Sequence, residues 1–459
     1  LAGWRPADSP TCISSLENRL YPRNLAATLL LRTLFGLTVF ASTNLSAQMQ
    51  DALPATTFAP ALTKEPTGSL TLSVAIDLAL TSNPELSAAA NELGAVEGAV
   101  IQAGVLPNPE ISTSVEDTQN KATRTTTIQV SQRIELGGKR SARIASAERG
   151  RDVAAADLAA KRLDIRATVI GAFFDVLVAQ ERIQQAEDLL GLAQRASQAA
   201  SRRVTAGKIS PVEETKARVA EASARVELNQ AQRELVSARK RLAASWGSST
   251  PRFEQVEGRT DLLPPVRSAE EITRRLNASP ALLRARHEAD RFSAIADLER
   301  SRRIPDVTVS LGTKKAEELG RNQTIVGISI PFPIFDRNQG NVLEAQRRAD
   351  KARDELSATE VRLSTEVAQN EERLKALVVE AQTLQSEIMP GARSAYDAAS
   401  KGFELGKFSF LEVLDAQRTF FQARAQYLRS LSDAHRTAAE LERFLGSIDS
   451  MPSAVPSRP

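Results

Sequence analysis

The chain has 459 residues, 59 basic and 56 acidic side chains, a net charge of +3 and only 4% aromatic residues. The charges are interspersed, with no basic block and no interleaved aromatics, so a nucleic-acid-binding class has no support. Cys12 is the only cysteine, which excludes an intramolecular disulfide and a Cys-based metal site. A body dominated by Ala, Leu, Glu, Arg and Gln points to long, closely packed helices rather than a compact core.

Residues 1–47 read as a secretory targeting segment: Arg19 and Arg23 precede an apolar run, and small residues follow up to Ala47. Arg32 splits the run, and an N-terminal membrane anchor is the alternative. After Ala47 no run is apolar and long enough for a transmembrane helix. Residues 48–68 are expected to be a linker.

The rest of the chain repeats itself. "SNPEL" at Ser82–Leu86 matches "ASPAL" at Ala278–Leu282, and "NPEIS" at Asn108–Ser112 matches "IPDVT" at Ile304–Thr308. "VSQRIELGGKR" at Val130–Arg140 matches "ISIPFPIFDRN" at Ile328–Asn338, and "AGKISPVEE" at Ala206–Glu214 matches "LGKFSFLEV" at Leu405–Val413. Four matches in register, three of them at helix boundaries, define two repeats, 69–247 and 268–446. Residues 248–267 are the linker between them, and 447–459 a tail.

Each repeat reads helix, two strands, long helix, shorter helix. Alternation gives the strands: Ile111, Thr113 and Val115 in the first, a partner over 124–134, then Val307, Val309 and Leu311. The last strand is expected over 323–332, with Thr324, Val326, Ile328, Ile330 and Phe332 on one face. Strands of about ten residues suit a tilted crossing of a bilayer; the edge of a soluble sandwich is the alternative. The first long helix starts near Arg140 and meets no breaker before Gly191, which costs some helix propensity on the way to the Gly-Lys turn. Its heptad stripe runs through Leu158, Ile165, Val169, Val176 and Ile183, and Phe173, Phe174 and Leu177 add a second seam. The second long helix carries Leu363, Val367, Leu374 and Leu384, and Pro390 with Gly391 should bend or interrupt it.

These residues carry a resemblance. "SNPELSAAANELGAVEGAVIQAGVLPNPEIS", "VSQRIELGGKRSARI" and the two Gly-Lys turns resemble the TolC-like outer-membrane efflux channel family over about residues 69–446. "IELGGKR" is similar to the branch that serves cobalt–zinc–cadmium resistance. The resemblance implies a mixed α and β fold: a homotrimer whose four strands per chain form a 12-stranded outer-membrane β-barrel, continued by a periplasmic α-helical barrel. It implies a passive exit duct for divalent metal cations, working with a periplasmic adaptor and an inner-membrane resistance-nodulation-division pump, and surrounded by outer-membrane lipid. A multidrug duct is the alternative cargo reading, and a periplasmic coiled-coil adaptor or structural protein the remote one.

The same resemblance assigns residues. Gly137 and Gly138 would turn strand into helix, with Pro331, Pro333 and Asp336 at the second such turn. Val204, Thr205, Gly207 and Lys208 would form one adaptor-docking tip; Leu405, Gly406 and Lys407, with Phe403, the other. Glu412 and Asp415 stand where the family has two aspartates narrowing the periplasmic entrance. Phe403 and Phe408 replace its tyrosine and arginine, so a ring packed through Phe403, Phe408 and Phe410 is expected instead of a polar latch. Plain solvent-exposed turns and solvated helix charges are the alternatives at these positions.

No catalytic set, cofactor or metal site is expected. Gly137-Gly138-Lys139 lacks the spacing of a phosphate loop. His287 and His435 have no second ligand at zinc spacing and read as ordinary helix-surface residues.

Overall fold

The computed structural model describes residues 65–258, 262–405, 407–408 and 410–446, without the side chains of 403, 404, 410 and 411. The targeting segment 1–47, most of the linker 48–68, the tail 447–459 and Gly406 lie outside the described residues.

A long helix and a broken one alternate in each repeat. In the first repeat α1 (Leu72–Ser82) and α2 (Pro84–Ala103) lead to strands β2 (Glu110–Glu116) and β3 (Thr125–Ile134). Helix α3 (Lys139–Thr205) then runs 67 residues without a break, about 100 Å at 1.5 Å per residue. Helix α4 (Pro211–Ala244) returns along it. The second repeat has α5 (Ala269–Leu276), α6 (Pro280–Ser301), β5 (Val307–Ala316), β6 (Arg321–Ser329), α7 (Gln339–Thr383), α8 (Met389–Glu404) and α9 (Phe410–Leu445). A π-helical turn, Leu384–Ile388, joins α7 to α8. The interruption expected at Pro390 and Gly391 thus takes the form of one wide turn upstream, which absorbs the missing proline N–H without ending the helix.

Both return helices stop against a helix start, by the same device. Gly247 has a left-handed φ of 80°, and a Cβ there would lie 3.0 Å from the Pro84 ring that opens α2. Gly446, with φ 75°, faces Pro280 at the start of α6 in the same way. The Asn83 side chain accepts from Leu86 N and donates to Ser245 O at 2.8 Å, so it caps α2 while holding the end of α4. Ser279 caps α6 from the equivalent place, and Arg275 donates to Gly446 O. Helix α2 therefore carries on the course of α4, and α6 that of α9.

Small side chains set the helix spacing. Ala217, Ala224, Ala231 and Ala238 are buried on α4 at strict seven-residue intervals, which lets it pack closely on α3 as a coiled coil. The stripe on α3 is buried at Leu158, Ile165, Val169, Val176 and Ala186, and the second seam at Phe173, Phe174 and Leu177. Three arginines of α9 reach across to carboxylates of α3: Arg424 to Glu181 (2.7 Å), Arg436 to Asp175 (2.6 Å) and Arg443 to Asp164 (3.3 Å). Such partly exposed pairs contribute little stability each; their spacing fixes the register between the repeats.

Residues 69–71 and 255–257 form a parallel strand pair, β1 with β4, so the stretch read as a linker at 248–267 carries a strand. This pair lies on α3 with Phe173, Phe253, Trp246 and Leu242 in one buried cluster. Gln180 clamps it, accepting from Val256 N at 2.8 Å and donating to Val256 O at 3.3 Å.

The four longer strands make one antiparallel sheet in the order β2-β3-β5-β6. Its register puts Ile111, Val130, Leu311 and Val326 in one row across the sheet. All four are exposed, Ile111 by 74% and Val326 by 70%. The opposite face carries Ser112, Gln129, Gly312 and Ile325 in the adjacent row. Strand β6 ends at Ser329 rather than at Phe332, because Pro331 and Pro333 cannot donate to a ladder. Ile330 and Phe332 lie beyond it.

His435 is not an ordinary surface residue. Its ring stacks on Phe174 at 3.9 Å between centroids, and Nε2 donates to Leu262 O at 2.9 Å. Burial pushes its pKa below 6.5, against the opposing pull of the Leu262 carbonyl. The unfolded chain then binds the proton first on acidification, so stability present above pH 6.5 is lost as pH falls below it toward the lowered value. His435→Gln is expected to flatten the pH dependence of thermal unfolding in detergent as pH falls below 6.5. Identical slopes for the two proteins would remove His435 as the cause.

Candidate functional site: helix tips and strand-to-helix junctions

The tip between α3 and α4 is closed by backbone bonds. Lys208 N donates to Arg203 O and Gly207 N to Val204 O, both at 2.9 Å, and Gly207 has φ 67°. This is the left-handed helix ending that glycine supplies without steric cost. Ser210 then caps α4 by accepting from Val212 N, with Pro211 at the first helical position. Thr205, Gly207 and Lys208 are exposed and Val204 is partly so. Nothing lies within 4 Å of where a Gly207 Cβ would stand.

The tip between α8 and α9 repeats the pattern 199 positions later. Lys407 N donates to Gly402 O at 2.8 Å, Phe408 N to the same oxygen at 3.3 Å, and Leu405 N to Lys401 O at 3.1 Å. Leu405 is 65% exposed, and Lys407 is exposed beside it. The ring of Phe408 lies so close over Gly402 that any Cβ there would collide with it. Gly402 therefore belongs to this tip although no sequence pattern marked it. Phe403 falls in the last turn of α8. Glu412 and Asp415 are both exposed in the first turns of α9, and the Asp415 carbonyl accepts from Thr419 Oγ1. Phe408, Glu412 and Asp415 thus cluster at one end of α9, far along the chain from the strands.

At the other end, Gly137 (φ 70°) and Gly138 (φ 72°) turn β3 into α3. Here Asp306 accepts from Leu136 N at 3.2 Å and from Lys139 Nζ at 2.5 Å. Arg143 pairs with Glu135 at 2.6 Å and donates to the carbonyls of Ala103 and Val105. Asn338 does the equivalent work at the start of α7, with φ 58° and its amide on Glu299. Asp306 and Arg143 were not marked by sequence; each works through partners distant in the chain. Among the described residues, no group of three or more His, Cys, Asp and Glu could hold a metal ion. No described helix is long and apolar enough to cross a membrane.

The model of the outer membrane efflux protein family matches residues 75–248 and, again, residues 272–447. The chain belongs to the outer membrane efflux protein family. Each match covers one repeat, so the duplication seen in the turns is the family's unit written twice. Over 412 residues the chain is 50% identical to the cobalt-zinc-cadmium resistance protein CzcC of Cupriavidus metallidurans, covering 90% of this chain and 98% of that one. It is 27% identical to the nickel-cobalt-cadmium resistance protein NccC of Alcaligenes xylosoxydans xylosoxydans, over 64% of this chain and 68% of that one. Among solved structures, CusC superposes with a TM-score of 0.70 at 20% identity, over 82% of this chain and 92% of that one. VceC of Vibrio cholerae gives 0.67 at 19% identity, over 82% and 96%. The efflux protein thus shares the TolC-like fold, a β-barrel sheet continued by a helical barrel, and resides in the outer membrane. Its sheet is then the membrane part, with the apolar row toward lipid and the polar face toward the lumen.

Proposed function

We propose that this efflux protein is the outer-membrane exit duct of a tripartite heavy-metal export system, passing divalent cations such as cobalt, zinc, cadmium or nickel. The observation that carries the reading is the 50% identity to CzcC along nearly the whole of both chains. The duct is passive: a periplasmic adaptor and an inner-membrane resistance-nodulation-division pump select and drive the cargo.

The working form is a homotrimer. Strands β2 and β6 are unpaired edges of the four-stranded sheet, and open edges are not tolerated in hydrocarbon. Four strands cannot close on themselves, whereas three copies give a 12-stranded barrel. The helices ask for the same neighbours. On α4, Val212, Val219 and Val226 form an exposed stripe at seven-residue spacing, and α7 exposes Leu343, Val361 and Val379. In the trimer, Glu412 and Asp415 would place six carboxylates around the periplasmic entrance, where they attract cations. Val204, Thr205, Gly207 and Lys208, with Leu405, Gly406 and Lys407, would meet the adaptor.

Deleting the gene is expected to lower tolerance to these metals while leaving tolerance to dyes and detergents unchanged. The opposite pattern, lost drug tolerance with unchanged metal tolerance, would assign the duct to multidrug efflux.

A further inference from the structure

A second charged region sits at the other end of the duct, and its sign is opposite to that of the entrance. A groove of about 760 Å³ lies where the strands meet the helices, lined by Arg133, Lys139, Arg302, Arg303 and Arg337 against Asp306 and Asp336. Its carboxylates are engaged: Asp306 by Lys139 at 2.5 Å, and Asp336 by the backbone N–H of Asn338 at 2.9 Å. Arg302 is paired with Glu299 at 2.6 Å, and the nearby Glu135 is held by Arg143. Arg133, Arg303 and Arg337 make no ion pair among the described residues, and all three are exposed.

The strand register says which side of the wall this groove opens on. Arg133 pairs with Thr308, and Thr308 with Ser329. Both Thr308 and Ser329 line the groove. This row alternates with the apolar row of Val309 and Ile328 and so belongs to the polar face, with Ser131, Ser310 and Gly327. In an outer-membrane sheet that face looks into the lumen, which separates the groove from lipid headgroups. Guanidinium groups without a carboxylate partner are donors of forked geometry, suited to an oxyanion.

We propose that this groove is an oxyanion site of the phosphate class, facing the lumen at the periplasmic end of the barrel, one per chain. The inference rests on the barrel reading of the sheet. It makes the duct electrically two-ended, with carboxylates at the helix tips and guanidinium groups below the strands. An anion held here neutralises the arginines that a departing cation must pass, and lowers the local barrier to it.

Single-channel recording of the purified full chain in a planar bilayer tests it, with inorganic phosphate as the probe added in potassium chloride. Phosphate is expected to change the open-channel conductance in a saturable manner. In Arg133→Gln/Arg303→Gln the half-effective concentration should rise about tenfold, as for the loss of a charge-assisted contact. Arg133→Lys/Arg303→Lys, which keeps the charge, should stay closer to the parent, and the single Arg337→Gln covers the case in which the double variant does not insert. A conducting parent channel that is insensitive to phosphate, or equal sensitivity in parent and glutamine variants, would overturn the site while leaving the duct intact. Absence of any conductance in the parent would instead count against the barrel reading.

Discussion

Gly137→Val is expected to abolish assembly of the channel. At φ 70° a β-branched residue is held in the left-handed region, which costs roughly 1–2 kcal/mol for an ordinary L-residue and more for a branched one. The new Cβ would also stand 2.8 Å from two atoms of Ile304 and 3.0 Å from the Ser301 carbonyl, which is backbone and cannot swing aside. Relief requires β3 and α3 to change their mutual angle, and the Lys139–Asp306 pair that pins the turn would go with it. The total is about 3 kcal/mol or more, applied three times in a trimer. Gly138→Ala should be milder: it meets a similar left-handed φ of 72°, but no branched side chain is forced into it and its nearest neighbour is the Ser141 hydroxyl at 3.3 Å rather than backbone. Gly191→Ala is the control in the other direction. It lies inside the unbroken α3 with only an arginine tip 3.8 Å away, and alanine there should add about 0.5–1 kcal/mol. The fraction of each protein migrating as a folded oligomer without heating reads all three. Normal assembly of Gly137→Val would show that the junction bends more freely than its contacts indicate.

The second large effect is expected at the tips, on docking rather than on folding. Gly207→Asp puts a charge on a surface with nothing within 4 Å, and aspartate tolerates the left-handed conformation better than most residues. The trimer should therefore form normally. Adaptor capture and metal efflux should fall to background when Gly207→Asp is combined with Gly406→Asp, because both tips of each chain are then altered. Glu412→Gln with Asp415→Asn should do the reverse: docking is retained, and the reversal potential in a salt gradient moves away from cation preference. Lost docking in that carboxylate variant would place Glu412 and Asp415 against the adaptor instead of the pore axis. Retained efflux in the double-tip variant would remove the tips from the contact.

Features whose cause is local were legible in the sequence. The strands β2 and β3 follow from alternation to within a residue or so, and β5 begins at Val307 as the alternation predicts but runs on to Ala316, well past Leu311. The stripe on α3 follows from heptad spacing, and the two tips from a repeated Gly-Lys turn with its helix ending. What was not legible depends on partners far along the chain. Three-residue strands at Ser69–Thr71 and Gln255–Glu257 have no periodicity of their own; they exist because each completes the other on the surface of α3. Gly247 and Gly446 look like ordinary helix stops until Pro84 and Pro280 are seen against them. His435 has no second ligand near it in the chain and so reads as a surface residue; Phe174 and Leu262, both remote, half-bury it. The end of β6 has a different cause. Hydrophobic alternation continues through Ile330 and Phe332, but Pro331 and Pro333 cannot donate to a ladder, so the hydrogen bonding stops at Ser329 before the side-chain pattern does. At the helix tips, the glycine at 402 carries a close aromatic contact, which only the fold brings into view.

The most direct measurement is the mass of the mature protein solubilised from outer membranes in mild detergent, by light scattering with the detergent contribution subtracted. The proposed homotrimer, which would cover the unpaired edges of β2 and β6 and the exposed stripes of α4 and α7, predicts three chains per particle. A monodisperse single chain, soluble without detergent, would contradict the barrel, the duct and the placement of every lumen-facing residue at once.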